Sequence, residues 1–238
     1  MPTGKRLTPS LEYLSERFPK DNAPVVLFDP GHGGMIDGVY QTDKRFDINK
    51  PGSYTKGYVH SMGVGIAEGE FNRDIMNRVC KYMDMVGLPY KKIVDTEEDV
   101  PLRKRSDDIN EYYYNENKRC FVCSIHANAG KGTGKEIFTS PGETNADPMA
   151  EIMILRMDDD LPELRLRADK SDGDHDKEAK FWMVTKTAPP AFLIECAFMD
   201  TLKPDCELMI SDEGRERFAK SIFYGLVEII ENYEKIVA

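Results

Sequence analysis

The chain has 238 residues and a formal net charge of −10. That length holds one large domain or two small ones and buries a substantial core without disulfides or metals. The acidic balance excludes nucleic acid as a main partner, because phosphate binding wants clustered Lys and Arg, and it offers no adhesion to anionic membrane surfaces.

Residues 1–24 form a polar lead-in with one short amphipathic helix, Leu11 to Phe18. No stretch here has signal-peptide character, and no apolar run in the chain reaches the roughly 18 residues of a membrane span. The expectation is synthesis in the cytoplasm, with release or delivery needed for any action outside it. "VVLFDPGHGG" (25–34) is a buried strand that breaks into a glycine-rich turn around His32. Residues 36–68 lack periodicity and are expected to be a large loop or insertion. A helix starts near Glu70, with Phe71, Ile75, Val79, Tyr82 and Val86 on one face and Gly87 as its stop. "YKKIVDT" (90–96) is a short strand, and Pro101 opens a helix to about Asn117.

"CFVCSIHANAG" (120–130) is strand into loop, and "GKEIFTS" (134–140) is another strand. Cys120 and Cys123 have CxxC spacing, but no second Cys/His pair accompanies them, so they are read as structural. The five cysteines, odd in number, suit a reducing compartment and apolar packing. A helix covers 147–158, and the charged stretch 159–179 is loop with one possible helical turn. "KFWMVTKT" and "AFLIECAF" are strand-like, the second buried on both faces. The last helix covers about 212–234. Strands alternating with helices predict a single α/β domain, a twisted, mostly parallel sheet of about six strands flanked by helices on both faces.

The three best strands end in His32, His126 and Glu195. Ligands of open α/β sheets bind outside the carboxyl ends of the strands, where a following helix also begins, so Glu70 can reach the same edge. Two neutral imidazoles and a carboxylate suit zinc with an open position for water, and the remaining carboxylate suits a general base. Each residue also has a plainer explanation. A strand-end histidine can be a satisfied polar residue, and Glu70 a first-turn carboxylate favoured by the helix dipole. Glu195 directly after Phe192-Leu193-Ile194 is harder to explain, because burial without a partner is costly.

The set "VVLFDPGHGG", "GEFNRDIMNRV", "CSIHANAG" and "PPAFLIECAFMD" resembles the zinc-dependent N-acetylmuramoyl-L-alanine amidases of the type-3 catalytic domain, found in bacterial cell-wall amidases and phage endolysins. The resemblance runs in order from about Val25 to the C-terminal helix. It implies an amidase catalytic domain over 25–238 with an insertion at about 36–68. It implies one zinc ion on His32, Glu70 and His126, with Glu195 as the catalytic residue. Its reaction is hydrolysis of the amide between the lactyl group of N-acetylmuramic acid and the L-alanine of the stem peptide. Peptidoglycan is then the partner, with no membrane or nucleic acid, a monomer is favoured, and a phage-type endolysin fits the missing signal.

Glycines 31, 33 and 34 are expected to keep the histidine loop low for a bulky polymer. The "EDVPLRKRSDDINEYY" stretch looks like the family's helix lead-in, with Arg103 or Arg105 and Asn110 as its Arg and Asn. Departures are Cys196-Ala197-Phe198 and Asp200 after the catalytic position, and no clean basic motif, for which Arg165, Arg167 or Lys170 would substitute. His60 and His175 match no family ligand and are read as loop residues. The competing readings are a zinc carboxypeptidase or amidase on small peptides, and a non-catalytic peptidoglycan-binding module.

Overall fold

The structure, a computed structural model, describes residues 6, 8–18, 22–171 and 173–238; the other residues of the 1–24 lead-in lie outside the described set. Helix α1 (Leu11–Arg17) is capped by Ser10, whose side chain accepts the Tyr13 N–H at 3.2 Å, and it docks Leu14 into the core. Strand β1 (Val25–Pro30) is buried along its whole length. The stretch expected to be a large loop carries small strands instead. Met35–Ile36 (β2) and Val39–Tyr40 (β3) pair as a hairpin. Gly52–Tyr54 (β4), Gly57–Val59 (β5) and Gly65–Ala67 (β6) form a three-stranded antiparallel sheet. The strands are only two or three residues long, too short for a period-two pattern to be legible.

Helix α2 (Glu68–Val86) follows, stopped by Gly87 in the left-handed conformation at φ 73°. Then come β7 (Tyr90–Lys92), α3 (Leu102–Asn115), β8 (Cys120–Asn128), β9 (Glu136–Thr139) and α4 (Asp147–Asp160). After the charged stretch come β10 (Lys177–Glu178), α5 (Trp182–Thr185), β11 (Ala191–Phe198), α6 (Glu207–Ile210) and α7 (Asp212–Val237). "KFWMVTKT" is therefore helical where a strand was expected. Both sides of β11 are already paired, with β8 and β9, so no adjacent sheet position is left for it. The Trp182 indole N–H instead donates to Ser106 Oγ of α3 at 3.0 Å.

The main sheet has six strands in the order β10-β9-β11-β8-β1-β7. All its pairs are parallel except β11–β9. Successive strand residues face opposite ways. Val26, Phe28, Phe121, Ile125, Phe192 and Ile194 pack with α2, α4 and α7, while Leu27, Val122 and Ala191 pack with Ile109 of α3 and Met183 of α5. The same alternation separates the CxxC pair, since Cys123 joins the first core and Cys120 the second. All five cysteines are free and buried. Among the described residues, no helix is long and apolar enough to cross a membrane.

Candidate active site

At the carboxyl edge of the sheet, β1 and β8 run in register to Pro30 and Ile125, and the Gly31 N–H donates to the Ile125 carbonyl at 3.0 Å. The chain then turns through His32, whose φ of 66° is a left-handed conformation that strains a non-glycine residue. Arg105 of α3 holds this turn. Its guanidinium donates to Asp29 Oδ1 at 2.8 Å, to the Pro30 carbonyl at 2.6 Å and to the His32 carbonyl at 2.9 Å. A side chain on Gly31 would collide with the His126 imidazole, and one on Gly34 with Glu97 and Arg73. The room these glycines make is filled by the protein's own side chains, a correction to the expectation that they clear it for a polymer.

Glu68, the first residue of α2, enters the same space. Its N–H donates to the Lys56 carbonyl at 2.9 Å, and its side chain is 1% exposed. Oε1 lies 3.0 Å from His126 Nδ1 and 3.3 Å from His32 Nε2, and the two imidazole rings stand edge to face at 5.2 Å. Asn72, one turn further on, donates its amide to the Gly31 carbonyl at 3.1 Å and ties the helix to the histidine turn.

Glu70, which the sequence reading placed in this cluster, points elsewhere. Arg215 of α7 grips it with two donors, at 2.6 Å and 2.8 Å. Residues two apart on an α-helix project about 200° apart, so Glu68 and Glu70 cannot serve one site together. The helix begins two residues earlier than expected, and Glu68 takes the place assigned to Glu70. A signal for it existed in the sequence. Glu68 continues the inward stripe of Phe71, Ile75 and Val79, whereas Glu70 continues the polar stripe of Asp74 and Arg78.

Glu195 of β11 is the register partner of His126 on β8 and of Glu136 on β9. Its Oε2 is fully buried without a hydrogen-bond partner. Burial pushes its carboxyl up to about 7, against the pull of His126. For Glu68, burial favours the neutral acid, but the hydrogen bond to His126 and the nearby His126 and His32 imidazoles outweigh it and hold the carboxyl well below its usual range. Burial favours neutral His126, yet the hydrogen bond to Glu68 carries the net shift upward.

His32, Glu68 and His126 each offer a donor atom, all within 4.8 Å of one another. His32 Nε2 and Glu68 Oε2 are buried with no hydrogen-bond partner, an expensive arrangement unless something else coordinates them. Two imidazole nitrogens and a carboxylate oxygen are a donor set suited to zinc with one open position. Glu68 and Glu195 line a cleft of about 300 Å³ together with Lys56, Tyr58, Asn128 and Lys131. The short strands β4 and β5 thus supply one of its walls.

The other sequence candidates are dispersed. Arg105 is buried in the histidine turn, and Arg103 is exposed. Asn110 bonds the Lys186 carbonyl and the Ala188 N–H, supporting the approach to β11. Arg167 pairs with Glu136 and lies 5.0 Å over the Phe198 ring, whereas Arg165 and Lys170 are exposed. His60 Nε2 sits 3.1 Å from the Met199 carbonyl oxygen, and His175 pairs with Glu151 at 2.9 Å. Neither joins the cluster.

The sequence model of the N-acetylmuramoyl-L-alanine amidase family matches residues 26–228. No curated protein matches the chain. Among solved structures, the fold is similar to an N-acetylmuramoyl-L-alanine amidase from Clostridium difficile 630, with a TM-score of 0.68 and 21% identity over 89% of this chain and 98% of that one. It is similar to the amidase Ami1 from Mycobacterium smegmatis, with a TM-score of 0.66 and 21% identity over 88% and 97% of the two chains. It also resembles the catalytic domain of the CD27L endolysin targeting Clostridia difficile, with a TM-score of 0.59 and 16% identity over 86% and 97%. With the family match spanning β1 to α7 and the polar cluster at the sheet's carboxyl edge, the chain belongs to the N-acetylmuramoyl-L-alanine amidase family.

Proposed function

We propose that the chain hydrolyses the amide between the lactyl group of N-acetylmuramic acid and the L-alanine of the stem peptide, with His32, Glu68 and His126 holding one zinc ion and Glu195 carrying the proton. When bound, the ion supplies Lewis-acid polarisation and an acidified water. The observation that carries the reading is Glu195, a carboxyl raised to about 7 with a buried, unpaired oxygen, beside His126 and in the same cleft as Glu68. A carboxyl of that pKa takes a proton from the attacking water at neutral pH and gives it to the leaving nitrogen. The water oxygen joins the carbonyl carbon, the C–N bond breaks, and the alanine amine leaves protonated by Glu195.

Digestion of purified peptidoglycan, with product analysis and zinc content by mass spectrometry, tests this. Glu195→Gln should keep zinc and lose turnover by about 10²–10⁴-fold. His126→Ala should lose both. New alanine N-termini are the expected product, and full activity of Glu195→Gln or cleavage at a glycosidic bond would overturn the reading. The proposal extends to a phage-type lytic role on the wall after release from the cytoplasm, supported by the fold shared with the CD27L domain. Expression in a host with and without a holin tests it, since lysis should require the holin.

A further inference from the structure

Two cations line the cleft that hydrolysis itself does not use. Lys56 comes from the turn between β4 and β5, and Lys131 from the loop after β8. Both are non-glycine residues in the left-handed region, at φ 56° and 60°. Such strain persists only where the surroundings impose it, and it concentrates at ligand sites. Here the surroundings are specific. The Lys56 carbonyl accepts the Tyr40 hydroxyl at 2.8 Å and the Glu68 N–H at 2.9 Å. The Lys131 and Gly130 N–H groups donate to Asp200 Oδ2 at 2.8 Å and 2.9 Å. The backbone on each side is therefore built to put a lysine at this cleft.

The Lys56 ammonium lies 3.7 Å from Glu68 Oε2 while its side chain is 48% exposed, so it is open to the cleft as well as to Glu68. Were Glu68 to hold a metal ion, its carboxylate would have less charge to offer Lys56. Lys131 is exposed at the same cleft. The cleft also holds the carboxylates of Glu68, Glu195 and Asp200, but Glu68 faces His126 and His32 and Asp200 accepts the Gly130 and Lys131 N–H groups, so the two exposed ammonium groups are the charges turned to a ligand, and they suit an anionic one.

We propose that Lys56 and Lys131 bind a carboxylate of the substrate's peptide, so that the cleft selects stem peptides with a free carboxylate on the residue after L-alanine over those in which it is amidated. The inference rests on the amidase reading above and deepens it. Muropeptides differing only in carboxylate or carboxamide at that residue are the probes. Turnover is measured with the full chain, and binding by titration calorimetry in a Glu195→Gln background. The carboxylate form should be preferred about fivefold, the size expected of a partly exposed charge pair. Lys56→Gln and Lys131→Gln should each bring that ratio toward one, and Lys56→Arg should restore it. Both probes are read on one sample, so a poorly folded variant depresses both and leaves the ratio interpretable. Equal binding of the two forms by the parent, or a ratio unmoved by either glutamine variant, overturns the clamp. Loss of turnover on both forms overturns the amidase reading instead, while the binding ratio still decides the clamp.

Discussion

Two buried polar clusters sit side by side where β1 and β8 end, and they are built on opposite rules. In the first, Asp29 is saturated by Arg105 and by the Ser124 hydroxyl at 2.7 Å, and Arg105 spends its remaining donors on the carbonyls of Pro30, His32 and Val100. In the second, His32, Glu68 and Glu195 each keep a buried nitrogen or oxygen with no hydrogen-bond partner. A network that only supports the fold satisfies its members, because an unpaired buried group costs stability. A network meant to hold something else leaves valences open. The contrast separates scaffold from site within a few residues of sequence.

The largest effects should fall on different observables in the two clusters. Glu195→Gln is expected to lower turnover by about 10²–10⁴-fold without lowering the melting temperature, since it replaces a costly buried carboxyl with a neutral amide. Arg105→Met should do the reverse in the first instance. It strands the Asp29 charge, and unfolding in denaturant should show a loss of about 3–5 kcal/mol. A melting temperature unchanged in Arg105→Met would mean that the first cluster is no scaffold.

The two glutamates of α2 sharpen the comparison at smaller scale. Glu68→Gln should reduce zinc stoichiometry sharply. Glu70→Gln breaks a partly exposed pair with Arg215, keeps the metal, and should cost about 1 kcal/mol or less. Equal zinc loss in both variants would argue against the division of labour seen around the helix.

The smallest effect concerns Asp176, which is buried away from the cleft and bonded through one oxygen to Thr139 at 2.6 Å. Burial raises its carboxyl from 3.8 to about 7. The folded state therefore holds a proton that the unfolded chain releases. Its contribution is intact below about pH 4 and is lost as the pH rises toward and through 7. Asp176→Asn should flatten that part of the stability–pH profile, measured by thermal melts, and leave zinc content alone.

Much of this was legible in the chain itself. Near-continuous apolar runs marked β1, β8 and β11, and His32, His126 and Glu195 meet at one edge because parallel strands share a carboxyl side, although β8 and β11 continue past His126 and Glu195 to Asn128 and Phe198 and His32 lies two residues beyond β1. Glu68 was legible in principle, since it extends the apolar stripe of α2. A helix start two residues later would put Glu70 in its place, which is why the motif by itself points to the wrong glutamate. The short strands between residues 35 and 67 were not legible, because two or three residues carry no period. Helix α5 was hidden because its composition suits a strand, and only the filled positions beside β11 exclude that.

The sequence by itself determined the α/β class, the order of the motifs and three of the four residues that gather at the sheet's carboxyl edge, since periodicity and strand position are local properties of the chain. The tertiary structure alone decided which glutamate faces the histidines, what the glycines of the turn make room for, and that the segment before α2 brings Lys56 to the cleft. Those outcomes depend on which surfaces meet, and groups distant in the chain come within bonding distance only when the sheet and helices close on one another.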